Sequence, residues 1–235
     1  ISLIMSFEDF YFKHSGELCV IFPSGDKYRG EVLKGILNGR GIYTWADTSV
    51  YAGEFQNNML SGNGKMIYSD GSCYEGNWVH DRREGHGKII SSDGYIYEGN
   101  WVNDHREGHG KIISSDGYIY EGNWMHDVPS GHGKATWSDG ITYDGNFVDG
   151  YKSGHGKELS RDGKTYDGQW KNDMVEGRGK MNYPDGSCYD GEWENNMRSG
   201  NGKMTFPDGS CYEGEWKDNS DVISILETMK KHRSQ

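Results

Sequence analysis

Tyr28-Arg29-Gly30 returns as Tyr51-Ala52-Gly53, Tyr74-Glu75-Gly76 and Tyr97-Glu98-Gly99. The series continues through Tyr120, Tyr143, Tyr166, Tyr189 and Tyr212 at a spacing of 23 residues, with no insertion or deletion. A strict period of this length describes an array of like units, each packed on its neighbours. Segment 83–101 is repeated identically at 106–124, the mark of a recent duplication. Near-identical units disperse unlike residues, so a catalytic constellation has no one place to assemble. An array of this kind presents long surfaces.

Composition sharpens the reading. Only 33% of residues are hydrophobic and 36 of 235 are glycine, too little apolar matter for an ordinary globular core. Yet 13% are aromatic, too many for a disordered chain. A thin sheet whose apolar content is mostly Tyr and Trp satisfies both. The net charge of −11 argues against nucleic acid and anionic lipid as partners. No run approaches the roughly 18 apolar residues of a membrane span. Ile1–Met5 is too short, and lacks the basic start, for a signal peptide; a chain that begins with Ile reads as a piece of something longer. Cys73, Cys188 and Cys211 share one repeat position, so neighbours lie about 9–10 Å apart, beyond disulfide reach. Together with Cys19 they read as reduced thiols of a cytoplasmic protein.

Each unit holds two strand-like pieces, such as Tyr74-Glu75-Gly76-Asn77-Trp78 and the run from Gly62 to Tyr68, with an Asp-Gly turn such as Asp70-Gly71 between them. Pro23-Ser24-Gly25, Pro184-Asp185-Gly186 and Pro207-Asp208-Gly209 specify a type I turn closed by a left-handed glycine. That three-residue loop sets Lys65 opposite Glu75 and Gly64 opposite Gly76. The variation among units supports this register. Lys88 faces Glu98 and Lys134 faces Asp144, and where Ile42 replaces the lysine, Ala52 replaces the acid. Arg40 faces Glu54, Arg178 faces Glu192, His86 faces Asn100, Ile90 faces Ile96 and Thr136 faces Thr142. One face is then charged. The other is aromatic, with Tyr74, Trp78, Tyr97, Trp101, Tyr120, Trp124, Tyr166, Trp170, Tyr189 and Trp193 as its track. Tyr and Trp are favoured interface anchors, so this track is the candidate partner-binding surface.

The repeats are expected to end after Trp216. Ser224-x-x-Glu227 forms a capping box, and Val222, Ile225, Leu226 and Met229 fall at helical spacing. The organisation expected is an N-terminal cap at 1–15, an array at 16–217 and a short amphipathic helix at 218–235 that caps the array or docks a partner. His86, His109, His132 and His155 form a ladder at the repeat spacing. Zinc ligands must converge to about 2.0–2.1 Å from one ion, so strand pairing is the simpler use, and no metal or cofactor is expected.

The units resemble the MORN repeat, on Tyr-Glu-Gly-Asn-Trp at 74–78, Gly-His-Gly at 85–87 and Asp-Gly at 93–94, and the likeness covers about residues 16–217. It implies an all-β fold, an elongated twisted antiparallel sheet of consecutive 23-residue hairpins, with the C-terminal helix as an addition. It also implies a non-enzymatic scaffold that docks other proteins in a cytoskeletal or ciliary, radial-spoke-like assembly, with homo-oligomers allowed. The alternative it leaves open is a membrane-tethering or phosphoinositide-associated module, as part of a larger protein. Val32 departs from the pattern where an aromatic is usual, and Thr48 where the turn glycine is usual, so the first full unit is expected to be irregular.

Nine units of two strands at about 4.8 Å predict a rod of roughly 85 Å. Small-angle scattering is expected to show it; a radius of gyration of about 17–18 Å, that of a compact domain of this length, would overturn the array.

Overall fold

The computed structural model describes residues 16–221. The expected N-terminal cap at 1–15 lies outside the described residues, as do Val222, Ile225, Leu226 and Met229. The chain divides into two compact units, one running to Ser115 and adding Trp124–Asp127, the other taking Asp116–Asn123 and the residues from Val128 onward.

In the first unit the strands are β1 (Gly16–Ile21), β2 (Lys27–Leu33), β3 (Ile36–Thr44), β4 (Val50–Gln56), β5 (Met59–Ile67), β6 (Cys73–Val79), β7 (Arg82–Ile90), β8 (Ile96–Val102) and β9 (His105–Ile113). Each pairs antiparallel with the next. β10 (Ile119–Met125) contributes to both units. The second unit continues with β11 (Val128–Thr136), β12 (Thr142–Val148), β13 (Tyr151–Leu159), β14 (Thr165–Lys171), β15 (Met174–Asn182), β16 (Cys188–Glu194), β17 (Met197–Thr205), β18 (Cys211–Lys217) and β19 (Ser220–Asp221). From β11 on, the strands again pair in sequence. Strand pairing extends to Asp221, four residues beyond the boundary at 217, because Asn219 closes one more turn and Ser220 pairs with Lys217.

The register is the one the three-residue loop requires. Lys65 pairs with Glu75, Gly64 with Gly76, His86 with Asn100, Arg178 with Glu192 and Thr136 with Thr142. In the Asp-Gly turns the Gly71 N–H donates to Tyr68 O at 3.0 Å, and Gly71 has φ +89°. The first full unit is regular, contrary to expectation: Val32 is buried in the aromatic position, and β2, β3 and β4 keep the common register. Thr48 closes the same turn with φ 77°, a left-handed conformation that a β-branched residue adopts only under strain.

The other connection in each unit is a two-residue turn with both centres left-handed, such as His80 (φ 49°) and Asp81 (φ 65°), which is type I′. The Asx side chain there accepts the backbone N–H of the preceding hairpin: Asn58 from Leu37, Asp81 from Leu60, Asp104 from Arg83 and Asp173 from Lys152, at 2.7–2.9 Å. The N–H of the same Asx residue donates back to that residue's carbonyl at 3.0–3.2 Å. Gly150 stands in this place opposite Pro129, which has no N–H to satisfy; only the return bond, at 2.9 Å, remains. Beyond the turn the register shifts between Gly76 and Asn77. This bulge centres on Gly85, at φ +65°, and the equivalent bulge recurs in later repeats.

Two substitutions test these geometries. Gly87→Ala puts a methyl into the Tyr74 ring and is expected to destabilise the protein by at least about 2 kcal/mol. Thr48→Gly relieves the left-handed turn and is expected to stabilise by about 1 kcal/mol. Denaturation followed by tryptophan fluorescence checks both; a tolerated Gly87→Ala would mean that the ring leaves the glycine pair at little cost.

Candidate partner-binding groove

The aromatic track exists, but it is interior. Tyr74, Tyr97, Tyr120 and Tyr189 are 0% exposed, and Trp78, Trp101, Trp124, Tyr166, Trp170 and Trp193 no more than 6%. This corrects the expectation that these ten residues meet a partner. The physical reason is the glycine. Tyr74 lies across Gly76 on its own strand and Gly87 on the next; a Cβ on Gly76 would stand 2.5 Å from Tyr74 Oη. Its hydroxyl donates to Asn77 O in the bulge at 3.2 Å, and Tyr97 and Tyr143 repeat the bond to Asn100 O and Asn146 O at 3.0 Å. Each Trp of this track keys to a glycine carbonyl: Trp101 Nε1 donates to Gly87 O at 3.1 Å and Trp170 Nε1 to Gly156 O at 3.0 Å. Trp101 then stands edge-on between Tyr74 and Tyr97, with centroids 5.5 and 5.1 Å away. The second unit repeats this from Tyr143 through Trp170 to Tyr166.

Two further rows lie over this ladder. One carries Leu37, Leu60, Arg83, Arg106, Pro129, Lys152, Val175 and Arg198 at successive repeats. Arg83 lies 4.2 Å above the Trp101 ring, and Asp104 holds its Nε at 3.1 Å; Arg106 stands likewise over Trp124 at 4.5 Å with Asp127. In the second unit Lys152 lies 4.2 Å from Trp170 and pairs with the half-buried Glu158. The other row is Trp45, Tyr68, Ser91, Ser114, Trp137, Ser160, Tyr183 and Phe206. Its aromatics are only partly covered, and Phe206 is 42% exposed.

In the first unit these rows border an open cleft of about 460 Å³. Trp45, Tyr43 and Tyr68 form one wall, Leu37, Leu60 and Met66 are apolar lining, and Asp81, Arg83 and Asp104 are its charged groups. Tyr43 is braced by a tilted contact with the Trp45 ring, centroids 4.7 Å apart, and donates to Asp26 Oδ2 at 2.9 Å. Sequence reasoning had placed the site on the Tyr-x-Gly-x-Trp residues and missed Trp45 and Tyr68. The signal was their variation: aromatics that alternate with serine at one repeat position are not needed by the fold.

The opposite face carries the charges. Lys88 meets Glu98 at 3.4 Å and Lys134 meets Asp144 at 3.0 Å. The histidine ladder serves strand pairing; His132 and His155 reach Asp144 and Asp167 at 3.2 and 3.1 Å, and no group of three metal-ligating side chains converges among the described residues. The four cysteines are free thiols.

These features define a β-hairpin repeat protein. The profile of the MORN repeat matches nine times, at 28–50, 51–73, 74–94, 97–117, 120–142, 143–165, 166–188, 189–211 and 212–219, and the chain belongs to the MORN-repeat family. As such it is a repeat scaffold of the kind that serves protein or membrane interactions. No curated protein matches it. Among solved structures, the TCP10 domain of Danio rerio CPAP is similar at 13% identity with a TM-score of 0.46, covering 86% of this chain and 94% of that one. The TCP domain of SAS-4 in complex with a proline-rich motif of Ana2, from Drosophila melanogaster, is similar at 13% with a TM-score of 0.42, covering 75% and 90%. At these values neither likeness bears on function.

Burial pushes the tyrosine hydroxyls Tyr51, Tyr97 and Tyr189 up from 10.0 to about 12. A folded value above the unfolded one means that their contribution to stability is complete below pH 10 and is lost as pH rises through 12. Tyrosinate absorbance and loss of the aromatic circular dichroism are expected to appear together in that window. Smooth ionisation near pH 10 with the sheet intact would contradict the buried ladder.

Proposed function

We propose that this chain is a non-enzymatic scaffold whose groove, bordered by Trp45 and Tyr68, docks a segment of a partner protein. The observation that carries the reading is the serine alternation. Ser91, Ser114 and Ser160 fill the same repeat position, so the fold is built without an aromatic there, and the half-covered rings at 45 and 68 are available for contact. Rings of this kind lose little side-chain entropy on binding. The partner segment has an apolar anchor for the lining of Leu37, Leu60 and Met66. It has a basic flank for Asp81, in keeping with the net charge of −11.

The setting we propose is a cytoplasmic, cytoskeletal or ciliary assembly such as a radial spoke, where a repeat array with a long docking surface serves as a strut. The membrane reading is less well supported. A surface that reads anionic lipid needs a free basic stripe, and Lys65, Lys88, Lys134 and Lys203 are each opposed by an acid within 3.0–3.7 Å.

Capture from a native extract, followed by variants, tests the proposal. Trp45→Ser with Tyr68→Ser introduces residues that the array already accepts at this position, so the fold is retained. The double variant is expected to lose the captured partner, while Lys134→Glu on the opposite face keeps it. The reverse pattern would assign the working surface to the charged face. Vesicles containing phosphatidylserine are expected to leave the protein in the supernatant at physiological salt; salt-sensitive co-sedimentation would favour the membrane reading.

A further inference from the structure

The charged face of the first unit also carries an apolar row. Val50 pairs with Ile67, Ile67 with Cys73, Cys73 with Ile90, Ile90 with Ile96 and Ile96 with Ile113. These six side chains stand in line across five successive strand pairings, on the face away from the tyrosines. Ile67 and Ile90 are 45% exposed and Ile113 is 38% exposed. In the second unit β10 still starts with Ile119 at this position, and from β11 on it reads Thr136, Thr142, Leu159, Thr165, Asn182 and Cys188. Thr is as good a strand former as Ile, so the sheet does not require isoleucine here. A contiguous apolar row of which every second member stands 38–45% exposed marks a covered surface.

The next row identifies the cover. Alongside the stripe run Ala52, Lys65, Glu75, Lys88, Glu98 and Lys111, alternating in charge from Lys65 onward. Such a row is complementary to its own reverse. A two-fold axis parallel to the strands, between β6 and β7, runs through the middle of the stripe. It sets the stripe of one copy on that of the other: Cys73 on Ile90, Ile67 on Ile96 and Val50 on Ile113. The same rotation sets Glu75 on Lys88 and Lys65 on Glu98, so these four charges meet their opposites, and Lys111 falls on Ala52. An isologous contact needs one patch that satisfies both roles, and aligned sheet-on-sheet packing at about 10 Å suits rows of this kind. The turn aspartates Asp70 and Asp93 keep their charge while bonded within their own turns, and the rotation faces one with the other, a repulsion that weakens the dimer.

We propose that this face is a self-complementary surface on which a second copy of the chain docks, stripe on stripe, leaving the groove on the other face open. The patch is small, so the dimer is a weak one with a micromolar dissociation constant.

Sedimentation velocity of the full chain over a concentration series tests it. A reversible monomer–dimer equilibrium is expected. Ile90→Thr with Ile96→Thr, residues native to this position in the second unit, is expected to weaken it by at least about tenfold. Two charge-swapped pairs locate the axis. Glu75→Lys/Lys88→Glu and Lys88→Glu/Glu98→Lys place equal numbers of like charges side by side within the chain. Only the first keeps opposite charges facing across the proposed axis, so it is expected to dimerise and the second to stay monomeric. Circular dichroism confirms that both fold. Monomer at every concentration would overturn the proposal and give the stripe to another protein or to residues beyond 221. A dimer indifferent to the Ile→Thr changes, or equal behaviour of the two swapped pairs, would overturn it as well. Loss of the groove partner leaves this result untouched, because the two surfaces lie on opposite faces.

Discussion

A tyrosine ring laid over two glycines is the contact on which the rest of this protein depends. A single-layer sheet has no second layer to bury its apolar face against. Here the ring fills the space that two Cβ atoms would have taken, at Gly76 and Gly87 for Tyr74, so the core sits within the thickness of the sheet. Burying the phenol requires a partner for its hydroxyl, and the bulge beyond the glycine supplies the Asn77 carbonyl. The tryptophan of the next hairpin then closes over the ring edge and bonds the Gly87 carbonyl. Glycine pairs, bulge, Tyr and Trp therefore stand or fall together, which is why all four recur at one spacing.

The Asx turns add the second constraint. Each hands one side-chain acceptor and one backbone donor to the hairpin before it, so a hairpin is held by more than its ladder. Pro129 and Gly150 show the economy of the device: where the backbone donor is gone, the side-chain acceptor is gone too. With backbone and core settled in this way, only the rows above the ladder and on the outer face are free to vary. Units do differ there. Leu37 and Leu60 give way to Arg83 and Arg106, which cover a tryptophan equally well with an aliphatic stem and a guanidinium. Trp45 and Tyr68 give way to Ser91 and Ser114, which cover nothing. The constant positions are occupied in making the sheet, which leaves the varying ones for contact.

This reverses the usual reading of a repeat motif. The conspicuous Tyr-Glu-Gly-Asn-Trp run drew the binding assignment to Tyr97, Trp101, Tyr120 and Trp124, and in the folded protein those rings are sealed. Aromatic content tells that apolar area must be buried somewhere; it does not tell whether a partner or the chain itself does the burying. The glycines held the answer, since a position without a Cβ beneath an aromatic invites the ring inward.

Pairwise matching along the strands determined the register by itself. Lys65 with Glu75, Arg40 with Glu54 and Ile42 with Ala52 change together only if they face each other. The turn type was likewise settled by proline and glycine, whose backbone preferences are local. The regularity at Thr48 was not legible, because neighbouring hairpins impose the turn on a residue that would not choose it. The type I′ turns were visible only as recurring Asn-Asn, Asn-Asp and His-Asp pairs, and their bond to the preceding hairpin joins residues 21 apart. Tertiary structure alone decided which aromatics are inside, where the bulge bends the strand, and that six residues from successive strands form one partly exposed apolar row. These depend on the distance between side chains of different hairpins, which the period of the sequence constrains and the packing of the rings finally sets.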